Sequence, residues 1–238
     1  MAVLVLGATG MTGTPLVHQL LDGGHKVRIV VRSPDKFDKE LLDNPNLTVL
    51  KAAVLDLKDN ELKALTDDCD AVVSCLGHTM DLRGFFGNPR NLCTDVVDRV
   101  CDAIQRNNPK KPVRLILMNT VGVANPSVDQ KRTLFERLVL TLLRHLVPPH
   151  RDNETAATFL RREIGKKGGA VEWCIVRPDS LINAQVSNYD VVEAPTTGIF
   201  SGRPTTRANV ANLMMSLIET STLWEKWKFR SPVIMDSL

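Results

Sequence analysis

The chain has 238 residues, enough for one large α/β domain. Apolar residues make up 43% and charged residues 24%, the balance of a globular protein and not of a disordered or fibrous one. A net charge of +3 is too small to call for a nucleic-acid partner.

The run AVLVL (2–6) reads as a buried strand, and Met1 leads straight into it. That leaves no room for a signal peptide, so a cytoplasmic protein is expected. Thr14 to Leu21 reads as a helix stopped by Gly23-Gly24. KVRIVV (26–31) and LTVLKA (47–52) are the next strands. Glu61 to Leu65 is a short helix after an Asp59-Asn60 cap signal, and DAVVSCL (70–76) is a fourth strand. Asn91 to Gln105 carries Leu92, Val96, Val97, Val100, Cys101 and Ile104 on one helical stripe. VRLILM (113–118) is a fifth strand.

The rhythm then breaks, because two helices stand where one is expected. Lys131 to Val147 has apolar residues at Leu134, Phe135, Leu138, Val139, Leu142, Leu143 and Leu146, a stripe wide enough for core, a subunit interface or a lid. Pro148-Pro149 interrupts, and the second helix carries AATFLRRE (156–163). VEWCIV (171–176) is a sixth strand, and residues 178–205 show little regular pattern, as substrate-binding segments often do. TTRANVANLMMSLIE (205–219) is a helix and SPVIM (231–235) a last strand.

Strands alternating with helices imply βαβ units and a parallel sheet covered on both faces. The expected fold is α/β: a single Rossmann-like, doubly wound parallel sheet over 1–238. It has a helical insertion at about 125–150 and a small C-terminal substrate-binding region at about 178–205. No run approaches the ~20 apolar residues of a membrane span. Lys110-Lys111 and Arg161-Arg162 with Lys166-Lys167 read as solvated faces. The five cysteines lack CxxC spacing and read as reduced thiols, and no HExxH or paired-Cys motif calls for a metal.

The strand-to-helix junction VLGATGMTG places Gly7, Gly10 and Gly13 in GxxGxxG spacing. Such glycines allow a tight turn, close approach of a pyrophosphate, and close packing of the helix on the sheet. The helix N-terminus then offers free N–H groups to a diphosphate. Residues Gly7, Thr9, Gly10, Met11, Thr12 and Gly13 are therefore expected to bind a dinucleotide. The second strand ends in Arg32-Ser33 where an acidic residue would select NAD, so NADP(H) is the expected cofactor.

Beyond this loop the chain resembles the atypical short-chain dehydrogenases, the group with NmrA-like proteins, flavin/biliverdin-type reductases and isoflavone-reductase-like enzymes. GATGMTG, VRIVVRSPDKF, LDLKD, VVSCLG, LILMNTVGV, WCIVRPDSL and TTRANVANLM resemble its segments in order over roughly residues 2–219. The resemblance implies adenine contacts at Asp56 and Leu57, a loop along the cofactor at Ser74, Cys75, Leu76 and Gly77, and a nicotinamide end near Asn119 and Pro178. The family's serine after strand five falls at Asn119-Thr120, so Thr120 could supply that hydroxyl.

The departures bear on chemistry. The family's Tyr-x-x-x-Lys pair falls at or near His150 and Glu154. Four residues apart on a helix, these two share a face, and a carboxylate beside the imidazole would favour a proton donor. The plainer reading makes Asp152 or Asn153 an N-cap, Glu154 a dipole partner and His150 a loop residue.

Two functions follow. One is an NADPH-dependent reductase of a small organic substrate without Tyr-x-x-x-Lys. Its expected catalytic residues are Thr120, His150 and Glu154, and its substrate pocket is shaped by Phe85, Phe86, Tyr189 and Phe200. The other is a non-catalytic NADP(H)-binding redox sensor of the NmrA-like type. Neither implies nucleic acid or membrane, and a monomer or homodimer is expected.

Overall fold

The computed structural model describes residues 1–78, 88–129, 133–165, 169–195 and 202–237. Strands β1 (Ala2–Leu6), β2 (Lys26–Val31), β3 (Leu47–Lys51), β4 (Ala71–Ser74), β5 (Val113–Met118) and β6 (Val171–Pro178) pair in parallel in the order β3-β2-β1-β4-β5-β6. Beyond β6 lie β10 (Val233–Asp236), parallel to it, and β8 (Tyr189–Val192), antiparallel to β10. A second, two-stranded sheet pairs β7 (Leu181–Ile182) with β9 (Thr205–Thr206).

Alternation along β1 explains the two layers. Val3 and Val5 enter one core and Leu4 and Leu6 the other, so a strand buried on both faces reads as a continuous apolar run. The first core lies under α1 (Gly13–Asp22), α7 (Arg207–Glu219) and α8 (Ser221–Trp227), with Leu16, Val17, Leu20, Leu213, Leu217 and Trp224 buried. The second lies under α3 (Asp59–Thr66), α4 (Leu92–Asn107) and α6 (Pro148–Phe159), with Leu62, Val96, Val100, Ile104, Ala156 and Ala157 buried. The sheet is doubly wound, and strand order reverses between β1 and β4. Ligands in such sheets bind beyond the carboxyl ends of the strands at that reversal. Among the described residues, no helix is long and apolar enough to cross a membrane.

The short helix α2 (Lys39–Leu42) and helix α8 were not expected from the pattern. Helix α3 begins at Asp59, where Glu61 Oε2 accepts from Lys58 N at 2.7 Å. Residues 178–205 carry β7 and β8, and α7 starts at Arg207 after Thr206, whose hydroxyl accepts from Asn209 N at 3.0 Å. Helix α5 (Leu134–Leu146) exposes Phe135, Leu138 and Leu142, so this part of the expected stripe is not core.

The largest correction concerns Pro148-Pro149. They do not break the chain between helices but open α6 as its first two residues, where a proline loses no hydrogen bond and its fixed φ suits the helix. His150 is therefore in the first turn of α6, its N–H bonded to Val147 O at 2.9 Å, and neither Asp152 nor Asn153 is an N-cap.

Candidate active site

The loop between β1 and α1 is built on close approaches. Gly7 has φ +78°, and a Cβ there would lie 2.6 Å from the Cys75 carbonyl and 2.8 Å from Leu76 N. The loop after β4 thus rests directly on the glycine loop. A Cβ on Gly13 would collide with Gly7 O. Gly10 N and Thr14 N bond to Gly7 O and Gly10 O, at 3.0 and 2.9 Å. The N–H groups of Met11, Thr12 and Gly13 have no acceptor among the described residues. Helix α1 has no acidic residue in its first turn, so the positive end of its dipole is left for an external anion.

Along the adenine side, Arg32 is exposed at the end of β2 and Ser33 is half-buried. Asp56 is exposed, whereas Leu57 puts its side chain in the core and its carbonyl on Arg99 Nη2. Ser74, at the end of β4, is fully buried, and its Oγ has no hydrogen-bond partner among the described residues. Cys75 lies 3.9 Å from the Met214 sulfur, and burial pushes its thiol up to about 12, so it is no nucleophile at neutral pH.

At the end of β5, Asn119 ties three elements together. Its N–H bonds to Val176 O of β6 at 2.8 Å, its Nδ2 to Asn153 O of α6 at 3.0 Å, and its Oδ1 accepts from Thr120 N at 2.9 Å. Thr120 Oγ1 accepts from Gly122 N at 3.2 Å. A Cβ built on Gly122 would meet His150 Cε1 at 3.4 Å and Thr120 Oγ1 at 3.6 Å, so the ring and the hydroxyl flank one residue. Glu154 Oε1 stands 3.6 Å from His150 Nε2, one turn along α6. The structure therefore brings Thr120, His150 and Glu154 together. Pro178 closes β6 beside them, its carbonyl accepting from Val121 N at 3.1 Å. Tyr189 sits on β8 with its hydroxyl donated to Asn212 Oδ1 at 2.9 Å, and burial raises its pKa. Phe85, Phe86 and Phe200 lie outside the described residues.

A second polar group was not anticipated. Asp152, 1% exposed, faces the start of α4 from α6. Its Oδ2 accepts from Cys93 N at 2.7 Å and its Oδ1 from Thr94 N at 3.0 Å; Thr94 Oγ1 lies 2.7 Å from Oδ1. The helix's own N-cap residue, Asn91, makes no side-chain cap, so Asp152 caps α4 from another helix. The same Oδ2 lies 2.8 Å from Nε2 of His78, in the loop after β4. The ligand atoms of His78, Cys93 and Asp152 fall within 4.8 Å of one another. Both oxygens of Asp152 already serve N–H donors, and burial with Asp152 nearby pushes the Cys93 thiol well up. This is a hydrogen-bonded network in which a cation would have to displace existing bonds. One sequence signal pointed here: Asp152 lies on the same stripe of α6 as the buried Ala156, four residues on.

Residues 7–221 match the model of a family described as NAD(P)H-binding. The chain belongs to this family. Two curated relatives are similar to it: an uncharacterised chloroplastic protein of Arabidopsis thaliana, 29% identical over 82% of this chain, and a dihydroflavonol 4-reductase of Dianthus caryophyllus, 30% identical over 54%. The matches span 64% and 36% of those proteins' own lengths. Among solved structures, a short-chain dehydrogenase/reductase from Veillonella parvula in complex with NADP superposes with a TM-score of 0.71. That match covers 99% of this chain and 94% of the other at 15% identity. At that identity the likeness establishes the fold alone, a Rossmann-like fold.

Proposed function

We propose that the protein is an NADPH-dependent reductase of a small organic carbonyl, quinone or flavin-like compound. The observation that carries the reading is the set of open N–H groups at Met11, Thr12 and Gly13, at the N-terminus of a helix with no acidic residue in its first turn. The residues fit a nicotinamide dinucleotide. Gly7 and Gly13 hold the loop where a side chain would collide, and the buried Ser74 Oγ keeps an unspent hydrogen-bonding capacity at the strand-order reversal.

The bound cofactor would supply a hydride. The chain's residues do the rest. Arg32, exposed where an acidic residue would reject a 2′-phosphate, selects NADPH, with Ser33 beside it. Thr9, Gly10 and the open loop amides hold the diphosphate, Asp56 borders the adenosine, and Ser74 to Gly77 run along its length. Asn119 and Pro178 fix the far wall. Thr120, His150 and Glu154 present polar groups there and orient the substrate, and orientation is the main requirement of hydride transfer.

Mixing the protein with NADPH and a panel of quinones, flavins and α,β-unsaturated carbonyls tests the reading through loss of reduced-nicotinamide absorbance. Turnover with at least one acceptor is expected. A second reading, an NADP(H)-binding redox sensor, draws support from the exposed Phe135, Leu138 and Leu142 on α5, an apolar face of the kind partners cover. Tight NADPH binding without turnover of any acceptor is its signature.

A further inference from the structure

The reductase reading requires a proton as well as a hydride, and the position that resembles Tyr-x-x-x-Lys holds His150 and Glu154. Between those two the distance from His150 Nε2 to Glu154 Oε1 is 3.6 Å, beyond hydrogen-bond length. His78 is different. Its side chain is 6% exposed, and its Nε2 is 2.8 Å from an Asp152 carboxyl whose own side chain is fully buried. Asp152 accepts from the Cys93 and Thr94 N–H groups at its two oxygens, so it is an acceptor towards the ring as well. The Nε2 position of His78 therefore carries the hydrogen, and Nδ1 is the nitrogen left for exchange. The hydrogen bond that the ring makes to Asp152 is at Nε2.

The loop that carries His78 is the one whose Cys75 and Leu76 backbone abuts Gly7. It leaves β4 at the strand-order reversal, with the end of β5 one strand away, about 4.8 Å along the sheet. Asp152 reaches the ring from the first turns of α6, two residues beyond His150.

We propose that His78, oriented by Asp152, donates the proton that completes substrate reduction. The proposal rests on the reductase reading. As a hydride from NADPH bonds to the substrate's electrophilic carbon, the carbonyl π pair moves onto oxygen. The imidazolium Nδ1–H transfers its proton to that oxygen and leaves a neutral ring with hydrogen on Nε2. Water then returns a proton to Nδ1. One hydride and one proton enter, and the carbonyl leaves as a hydroxyl. Asp152 is a positioning residue: it holds the tautomer and sits beside the positive ring. Cys93 and Asp95 of α4 also feel Asp152, and burial with Asp152 nearby raises both; a thiol and a carboxyl carry no positive charge, so neither competes with the ring for the carboxylate.

Two readouts test this. Ring 15N spectra of the full chain should show His78 with hydrogen on Nε2 in its neutral form, and its signals should shift when NADP+ is added. With an accepted quinone or enone, the wild-type rate should fall as the donor deprotonates with rising pH. His78→Gln should lower kcat about 100-fold and remove that alkaline limb. Asp152→Asn should displace the limb without removing it, and His150→Gln should keep it. Survival of the limb in His78→Gln overturns the assignment, as do His78 signals that ignore NADP+ in the wild-type protein, a readout independent of whether the variants fold. Failure of the wild-type protein to oxidise NADPH with any acceptor overturns the reductase reading itself, and the proton transfer with it.

Discussion

Asp152 Oδ2 lies 2.8 Å from His78 Nε2 across 74 residues of sequence, and the same carboxylate caps the N-terminus of α4. One side chain therefore joins the loop after β4, the start of α4 and the first turns of α6.

The stability consequence is direct. Asp152→Asn places an amide NH2 or a weaker acceptor against the Cys93 and Thr94 N–H groups in a buried site. Removing one partner from a buried charged network costs about 3 kcal/mol. Urea unfolding should show a lower midpoint with an unchanged slope. A midpoint equal to wild type would mean the cap carries no weight.

Gly7 and Gly24 form a controlled pair. Both have positive φ, +78° and +74°, so alanine costs each roughly 1 kcal/mol of backbone strain. Only at Gly7 would the new Cβ meet another loop; Gly24 faces open space. Gly7→Ala should weaken NADPH binding about 100-fold by calorimetry, equivalent to ~2.7 kcal/mol, while Gly24→Ala stays within about a factor of 2.

Arg32 tests cofactor choice. Arg32→Glu should lower the NADPH-to-NADH affinity ratio by at least about tenfold, or ~1.4 kcal/mol. An unchanged ratio would remove Arg32 from the site.

The thiols predict a pH dependence. Burial pushes Cys69 up to about 11 and Cys75 to about 12, and raises Cys93, Cys101 and Cys174 as well. Thiolate is the reactive form, so these groups are protonated at neutral pH and become reactive only as pH rises towards those values. A thiol reagent at neutral pH should label the native protein slowly and the unfolded protein at all five cysteines. Rapid labelling of the native protein would show an accessible thiolate.

The parallel strands were legible because strands buried on both faces are continuous apolar runs, as AVLVL and VRLILM are. The glycine loop was legible because its spacing, its preceding strand and its following helix all agree. The start of α6 was misread because Pro-Pro both ends and opens helices, and only the path of the chain decides which. Short α2 and α8 carry too few turns for a periodic signal. The His78–Asp152 pair has no local motif. Its partners meet only when β4 and α6 are placed by the fold, and the trace in the sequence was the spacing of Asp152 four residues before Ala156. Arg177 is similar: within VRP it resembles a family segment, yet it is fully buried. It is paired through both terminal nitrogens with Asp129, at 2.7 and 2.9 Å.

The most direct test of the account is NADPH oxidation by the full chain against the acceptor panel, run beside Gly7→Ala. The account predicts acceptor-dependent loss of reduced-nicotinamide absorbance that disappears in the variant. Tight NADPH binding by the wild-type protein with no oxidation by any acceptor would contradict it.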